Sequence, residues 1–435
     1  MRRVYYNTTM RACRLCALLL SLAELVGAQS ELVREVVLLA RIKQKMKQNL
    51  LQVPNYTCLQ TIERERREAR AKKFHPLDVI RLEVAEVDNK ELFAWPGERR
   101  FEEKSLSSIA SNGAMSNGIF TLHARALFIA DVATFNYAGE ETIGERRLAR
   151  YDFRQPDFLS GYRIRVAGLQ AIVGWHGSFW ADAETFDVFR IRVEADNIPV
   201  DLGLAAAITT IDYQRARIGS SDALLPERGE MILSELAGGE SRNRTEFTRC
   251  RQYSTESAIS YAAADQPPPA ISPTPVPRVN AEIELPAGVL LSTRLEVPVD
   301  SADAAVGDAV RAIVDADVRQ NGELLVPKGA VVTGRLRRME RKIVPVPHFI
   351  LGVEFTDIEF SQRRARITLE LQELGRIFGL EQVLTLTHAQ GRGSRGTVIE
   401  TIHADPQPGV GTFFMKGDRF RLPRGLRMVW KTVPL

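Results

Sequence analysis

His176, Ser178, Asp182 and Glu184 place an imidazole, a hydroxyl and two carboxylates within one short stretch. Those are the groups of nucleophilic acyl transfer, in which a base takes the serine proton and an acid orients the base. On an extended strand, His176 and Ser178 share one face. The serine has no strained elbow around it, however, and Asp182-Ala183-Glu184-Thr185 has the composition of a turn, where acids form turns and caps. A secreted hydrolase acting through His176 and Asp182 is therefore the alternative expectation, and a protein without a catalytic set is the leading one.

Other chemistry is weaker. Gly391-Arg392-Gly393-Ser394-Arg395-Gly396 fits the spacing G-x-G-x-x-G, which holds a pyrophosphate only where a helix follows. Here Thr397 to Ile402 follows, a β-type run, so the segment reads as a loop. The six histidines are scattered, with His75 and His348 beside prolines, and none stands at metal-ligand spacing. The expectation is no catalytic residue, no metal and no cofactor. Arg335, Arg337, Arg338, Arg341 and Lys342 form a basic run with little aromatic interleaving. A solvated strand face is its ordinary meaning, and contact with an anionic surface is the functional alternative.

The compartment follows from the first residues. Arg2, Arg3, Arg11 and Arg14 precede the apolar run Cys16–Leu22, and Val26-Gly27-Ala28 offers a cleavage point, as in a secretory signal. Met10 provides a second plausible start. The run is too short to span a bilayer. Removing residues 1–28 leaves 54 basic against 53 acidic residues, so the basic balance of the whole chain belongs largely to the leader and gives a nucleic-acid role no support. Cys58 and Cys250 then remain as an even pair in an oxidising compartment, which reads as a disulfide. Two buried free thiols, or a metal pair, are the other readings, and neither cysteine has a ligand-type neighbour in sequence.

A chain of 435 residues implies at least two domains. Asp265 to Arg278, DQPPPAISPTPVPR, is a polyproline-type spacer between them. The expected organisation is a signal over 1–28, a β domain with a leading helix over 29–264, a linker over 265–280 and a second β domain over 281–435. The helix is expected from Ser30 to Pro54, with Leu32, Val36, Leu39, Ala40 and Leu50 as its apolar positions. Ile80, Leu82 and Val84 alternate with polar neighbours and enter a hairpin at Asp88-Asn89-Lys90. Ala171 to Val193 reads as an aromatic strand to Trp180, a turn, and a second strand carrying Phe189, Ile191 and Val193. In the second domain Asn321-Gly322 is a strong hairpin signal, because both residues tolerate positive φ. Turn signals at this density predict a mostly β (α+β) protein: a curved antiparallel sheet or incomplete barrel, then a small barrel or sandwich.

The second domain resembles a family. Leu285-Pro286-Ala287-Gly288, Val306-Gly307-Asp308, Leu325-Val326-Pro327-Lys328-Gly329-Ala330, Gly334-Arg335 and Leu422-Pro423-Arg424-Gly425 resemble the TrbI-type β-barrel of type IV secretion and conjugation channel subunits. The resemblance implies a barrel; independently of it, each Pro-Gly pair fixes a corner where a strand enters or leaves. A place in a secretion-type envelope complex is the further alternative, although the channel's membrane helices are missing. The first domain is similar, over its leading helix and the strand-turn-strand from Phe179 to Arg190, to the half-barrel of periplasmic lipoprotein carriers and related sigma-factor regulators. That likeness implies an apolar ligand face to which Phe93, Trp95, Phe179 and Trp180 would contribute; core packing is the ordinary role of such aromatics. The expectation is a non-enzymatic periplasmic or secreted envelope protein whose partner is a lipid, lipoprotein or protein.

Overall fold

The computed structural model describes residues 34–88, 90–98, 101, 115, 119–166, 169–253, 281–282, 284–344, 346–389, 397–402 and 407–434. The leader, the proline-rich linker and the glycine-rich segment Gly391–Gly396 lie outside the described residues. The fold is mostly β, as the turn density predicts. A helix, α1, covers residues 34–52. The strands β1 (Tyr56–Arg67), β2 (His75–Val87) and β3 (Lys90–Ala94) follow it. A short helix, α2 (Leu122–Phe128), precedes β4 (Thr134–Ile143) and β5 (Arg146–Gln155). The hairpin β6 (Arg163–Val166) and β7 (Leu169–Ile172) leads to β8 (Gly174–Ala181) and β9 (Val188–Asp196). The long strands β10 (Leu204–Ile218), β11 (Ser221–Glu235) and β12 (Glu240–Gln252) come next.

The chain divides into two compact units. One holds the residues up to Pro54 with 118–202 and 208–227, and the other holds 55–117, 203–207 and 228–435. In the first unit the strand order is β4-β5-β8-β9-β10. Its core is aromatic: Phe179 stacks on Tyr151 with ring centroids 5.3 Å apart, and Phe128 meets it edge-on at 5.4 Å. The leading helix buries Ile42, Met46 and Leu50, one turn apart, whereas Val36 and Ala40 of the expected stripe are exposed. Polar contacts also hold the helix. The Tyr151 hydroxyl donates to the Glu35 carbonyl (2.9 Å), and Asn49 exchanges two hydrogen bonds with the backbone of Leu224 (2.8 and 2.7 Å).

In the second unit β3-β2-β1-β12-β11 form an antiparallel sheet tied by the disulfide between Cys58 and Cys250 on β1 and β12. Arg64 and Asp78 make a buried bidentate pair across β1 and β2 (2.6 and 2.5 Å). Beyond the short β3, residues 79–81 of β2 pair with Val306: Val306 N–H donates to the Val79 carbonyl and Arg81 N–H donates to that of Val306, both at 2.8 Å. The strands after residue 281 pack around Trp430, whose ring meets Phe355 at 5.1 Å and occupies the space that a Cβ on Gly411 would need. The Pro-Gly corners are present as turns. Gly329 and Gly425 have φ of 91° and 82°, and Ala330 and Leu426 donate back to Pro327 and Pro423, each at 3.2 Å. Asn321 and Gly322 both adopt positive φ in the hairpin between Val318–Gln320 and Glu323–Val326.

Candidate functional site

Strands β5, β8 and β9 carry a polar grid on the face turned away from the aromatic core. The register aligns Arg150 with Trp180 and Arg190, Asp152 with Ser178 and Arg192, and Arg154 with His176 and Glu194. Because side chains alternate along a strand, each row stands two residues beyond the last. The intervening residues Tyr151, Phe153, Trp175, Phe179, Ile191 and Val193 are buried on the other face. The grid encloses a groove of about 470 Å³. Gly177 sits in its middle, where a Cβ would stand 1.9 Å from the Arg192 carbonyl oxygen and 2.9 Å from the Phe153 ring. Only glycine permits this approach, and such a point lets a sheet bend into a concave surface.

The charges in the groove are matched internally. Arg150 donates to Asp152 (2.8 Å) and Glu141 (2.5 Å), and the second Glu141 oxygen accepts the indole N–H of Trp180 at 2.7 Å. The Arg150 guanidinium, and then Trp180, hold the Glu141 carboxyl below the usual carboxylate range. Ser178 donates its hydroxyl to Asp152 (2.6 Å). His176 Nδ1 lies 2.8 Å from Asp196, so the proton sits on Nδ1, and Nε2 faces Glu194 at 3.9 Å. Asp196 also meets Arg154 (3.2 Å), and Glu194 meets Arg192 (2.7 Å).

This arrangement differs from the one the sequence suggested for His176. Asp182 does not orient it. Asp182 closes the β8–β9 turn, accepting the N–H groups of Glu184 (2.8 Å) and Thr185 (2.7 Å). Burial raises the Asp182 pKa, but those N–H donors outweigh it and hold the carboxyl below its usual range. The acid beside His176 is Asp196, twenty residues on and on the neighbouring strand. Ser178 addresses Asp152, so serine and histidine do not form the nucleophile–base bond of an acyl transferase. Sequence reasoning missed Glu141, Arg150, Asp152 and Asp196, which only strand register brings in.

Two of the four aromatics lie in each compact unit. Phe179 is fully buried in the first unit, and Trp180 lines the polar groove. Phe93 is buried on β3 of the second unit, opposite Val84. Trp95 packs there against Gly307 and lies under the guanidinium groups of Arg337 (4.9 Å) and Arg335 (5.6 Å). The basic run is paired: Arg335 with Glu98 (2.8 Å), Arg337 with Glu354 (2.7 Å), Arg338 with Glu340 (2.6 Å), Arg341 with Asp418 (2.8 Å) and Lys342 with Glu340 (3.2 Å). Arg338 is buried, so it is not part of a solvated face. Among the described residues no cluster of three or more His, Cys, Asp or Glu could hold a metal ion, and no helix is long and apolar enough to cross a membrane.

No family model matches the chain, and no curated protein matches it. Among solved structures, an outer membrane lipoprotein-sorting protein domain from Vibrio parahaemolyticus is similar, at 13% identity and a TM-score of 0.28, over 51% of this chain and 93% of that one. A DUF1329 family protein from Desulfovibrio piger is similar at 11% identity and a TM-score of 0.28, over 50% of this chain and 92% of that one. Likenesses at that score carry no functional inference, which has to come from the groove.

Proposed function

We propose that this chain is an exported, non-catalytic component of the bacterial envelope that binds a neutral, hydroxyl-rich ligand, of the sugar class, in the groove on β5, β8 and β9. The Cys58–Cys250 disulfide supports export, because such bonds persist in oxidising compartments. The observation that carries the binding reading is the matched grid. A ligand with a net charge would meet groups that already have partners, because the guanidinium groups of Arg150, Arg154 and Arg192 are each paired with a carboxylate in the groove. A hydroxyl both donates and accepts, so it can bridge Asp152 and Arg192, or Arg154 and Glu194, without unpairing either. Trp180 lines the groove with its ring buried beneath the Arg150 guanidinium, 5.6 Å away, and so fixes the shape of the wall. The engagement of Ser178 with Asp152 supports a positioning role for both, rather than nucleophilic attack.

A neutral oligosaccharide array probed with the folded chain tests this. The wild type retains one class of neutral glycan, and Ser178→Val and Asp152→Asn lose it tenfold or more while keeping the same circular dichroism. Hydrolysis of a bound sugar or ester that disappears in His176→Ala would overturn the non-catalytic reading. A preference for anionic or acyl ligands alone would overturn the ligand class.

A further inference from the structure

The second unit carries an apolar tip ringed by basic side chains, and its elements converge by named hydrogen bonds. The connection after Val331–Lys342 and the connection after Thr368–Leu374 both meet the strand Val410–Lys416. Gly417 N–H donates to the Pro347 carbonyl (2.9 Å), and Lys416 N–H donates to that of Gly379 (2.8 Å). His348 pairs with Lys416 in the sheet, and its Nδ1–H donates to the Val346 carbonyl at 2.8 Å. Underneath, Phe349 meets Phe420 edge-on at 4.9 Å. The tip is therefore held by the sheet strands beneath it. On it stand Phe378, fully exposed, Val344 at 74% exposure and Val346 at 41%. Large apolar side chains displayed together at a held tip mark an interaction surface.

The charge around them selects the partner. Arg341, Lys342, Arg376, Lys416 and Arg419 surround the tip. Arg376 and Arg419 are exposed and pair with no carboxylate among the described residues. Asp418, Glu381 and Glu340 pair with Arg341, Lys416 and Lys342, which leaves Arg376 and Arg419. The surplus is positive, beside side chains that gain by leaving water. That pairing matches an anionic bilayer surface, where phosphate headgroups meet the arginines and the apolar groups enter the acyl boundary. We infer that this tip docks the protein on an anionic phospholipid surface through Phe378 and Val344, with Arg376 and Arg419 supplying the headgroup contacts. Of the basic run seen in the sequence, Arg341 and Lys342 belong to this surface, and Arg335, Arg337 and Arg338 do not. The inference stands apart from the groove and needs no ligand there.

Sedimentation of the full chain with vesicles tests it. Vesicles of phosphatidylethanolamine with phosphatidylglycerol are expected to carry the protein down at low salt, and phosphatidylcholine vesicles to leave it in solution. Phe378→Ser, and separately the pair Arg376→Glu with Arg419→Glu, each weaken partitioning at least tenfold. These side chains are exposed, so the variants keep the wild-type unfolding midpoint, which separates lost docking from lost folding. No sedimentation with anionic vesicles, or sedimentation unchanged in Phe378→Ser, overturns the inference. So does a concentration-dependent dimer that Phe378→Ser abolishes, because the tip would then meet a second copy of the chain.

Discussion

Replacing His123 by Phe should remove a pH dependence of stability that the wild type carries between pH 6.5 and about 4. His123 is a buried residue of α2, with its ring 5.4 Å from Tyr162 and 6.1 Å from Trp175, and its Nε2 has no hydrogen-bond partner among the described residues. Burial pushes its pKa from 6.5 down to about 4. Below pH 6.5 the unfolded chain takes up a proton at this residue and the folded chain does not until about pH 4. The unfolded state therefore binds more protons in that window, and stability falls as pH falls. Each pH unit costs about 1.4 kcal/mol, and the whole window about 3 kcal/mol; the contribution is fully present above pH 6.5. Urea unfolding at a series of pH values, followed by tryptophan fluorescence, measures this directly. Acidic groups titrate in both proteins, so the quantity to plot is the wild type minus His123→Phe. That difference should shift by about 3 kcal/mol against the wild type between pH 7 and pH 4. A difference independent of pH would refute the buried, neutral state assigned to His123.

Three further outcomes follow from the packing. Asp78→Ala removes the bidentate carboxylate from the buried guanidinium of Arg64 and should cost about 3–5 kcal/mol in denaturant unfolding, whereas the double replacement Arg64→Met with Asp78→Leu should cost much less. Cys58→Ser with Cys250→Ser opens a loop of 192 residues and should cost between about 2 and 5 kcal/mol, read as a shift in the urea midpoint that reductant reproduces in the wild type. Gly177→Ala must push β8 from β9, because its Cβ falls 1.9 Å from the Arg192 carbonyl. A loss of about 1–3 kcal/mol or more is expected, together with weaker ligand retention.

Much of the framework was legible because it rests on local pattern. β8, its turn and β9 follow from an aromatic run, an acidic turn and Phe189, Ile191 and Val193 in alternation. The Asn321-Gly322 hairpin and the Pro-Gly corners follow from φ preferences that single residues impose. The groove was only half legible. β5 was not anticipated, because Arg150, Asp152 and Arg154 look like a solvated loop until β4 and β8 pair with either side of it. Proximity in sequence points to Asp182 as the partner of His176, but a turn acid caps backbone N–H groups and register supplies Asp196 instead. Phe179 and Trp180 are neighbours in sequence, yet adjacent residues of a strand point to opposite faces, so they do not share one lining. Trp95 meets Arg335 and Arg337 across a sequence separation that no periodicity reveals.

The most direct test of the groove uses the four tryptophans, Trp95, Trp175, Trp180 and Trp430, as internal reporters. Each indole N–H gives one resonance in a nitrogen-15 correlation spectrum, and only that of Trp180 lies in the groove, donating to Glu141. Titration with the neutral glycan selected on the array should move the Trp180 resonance in a saturable way and leave Trp95 and Trp430 in place. Asp152→Asn should abolish the shift. A saturable change at Trp95 or Trp430 with Trp180 unmoved would place the ligand elsewhere and contradict the account.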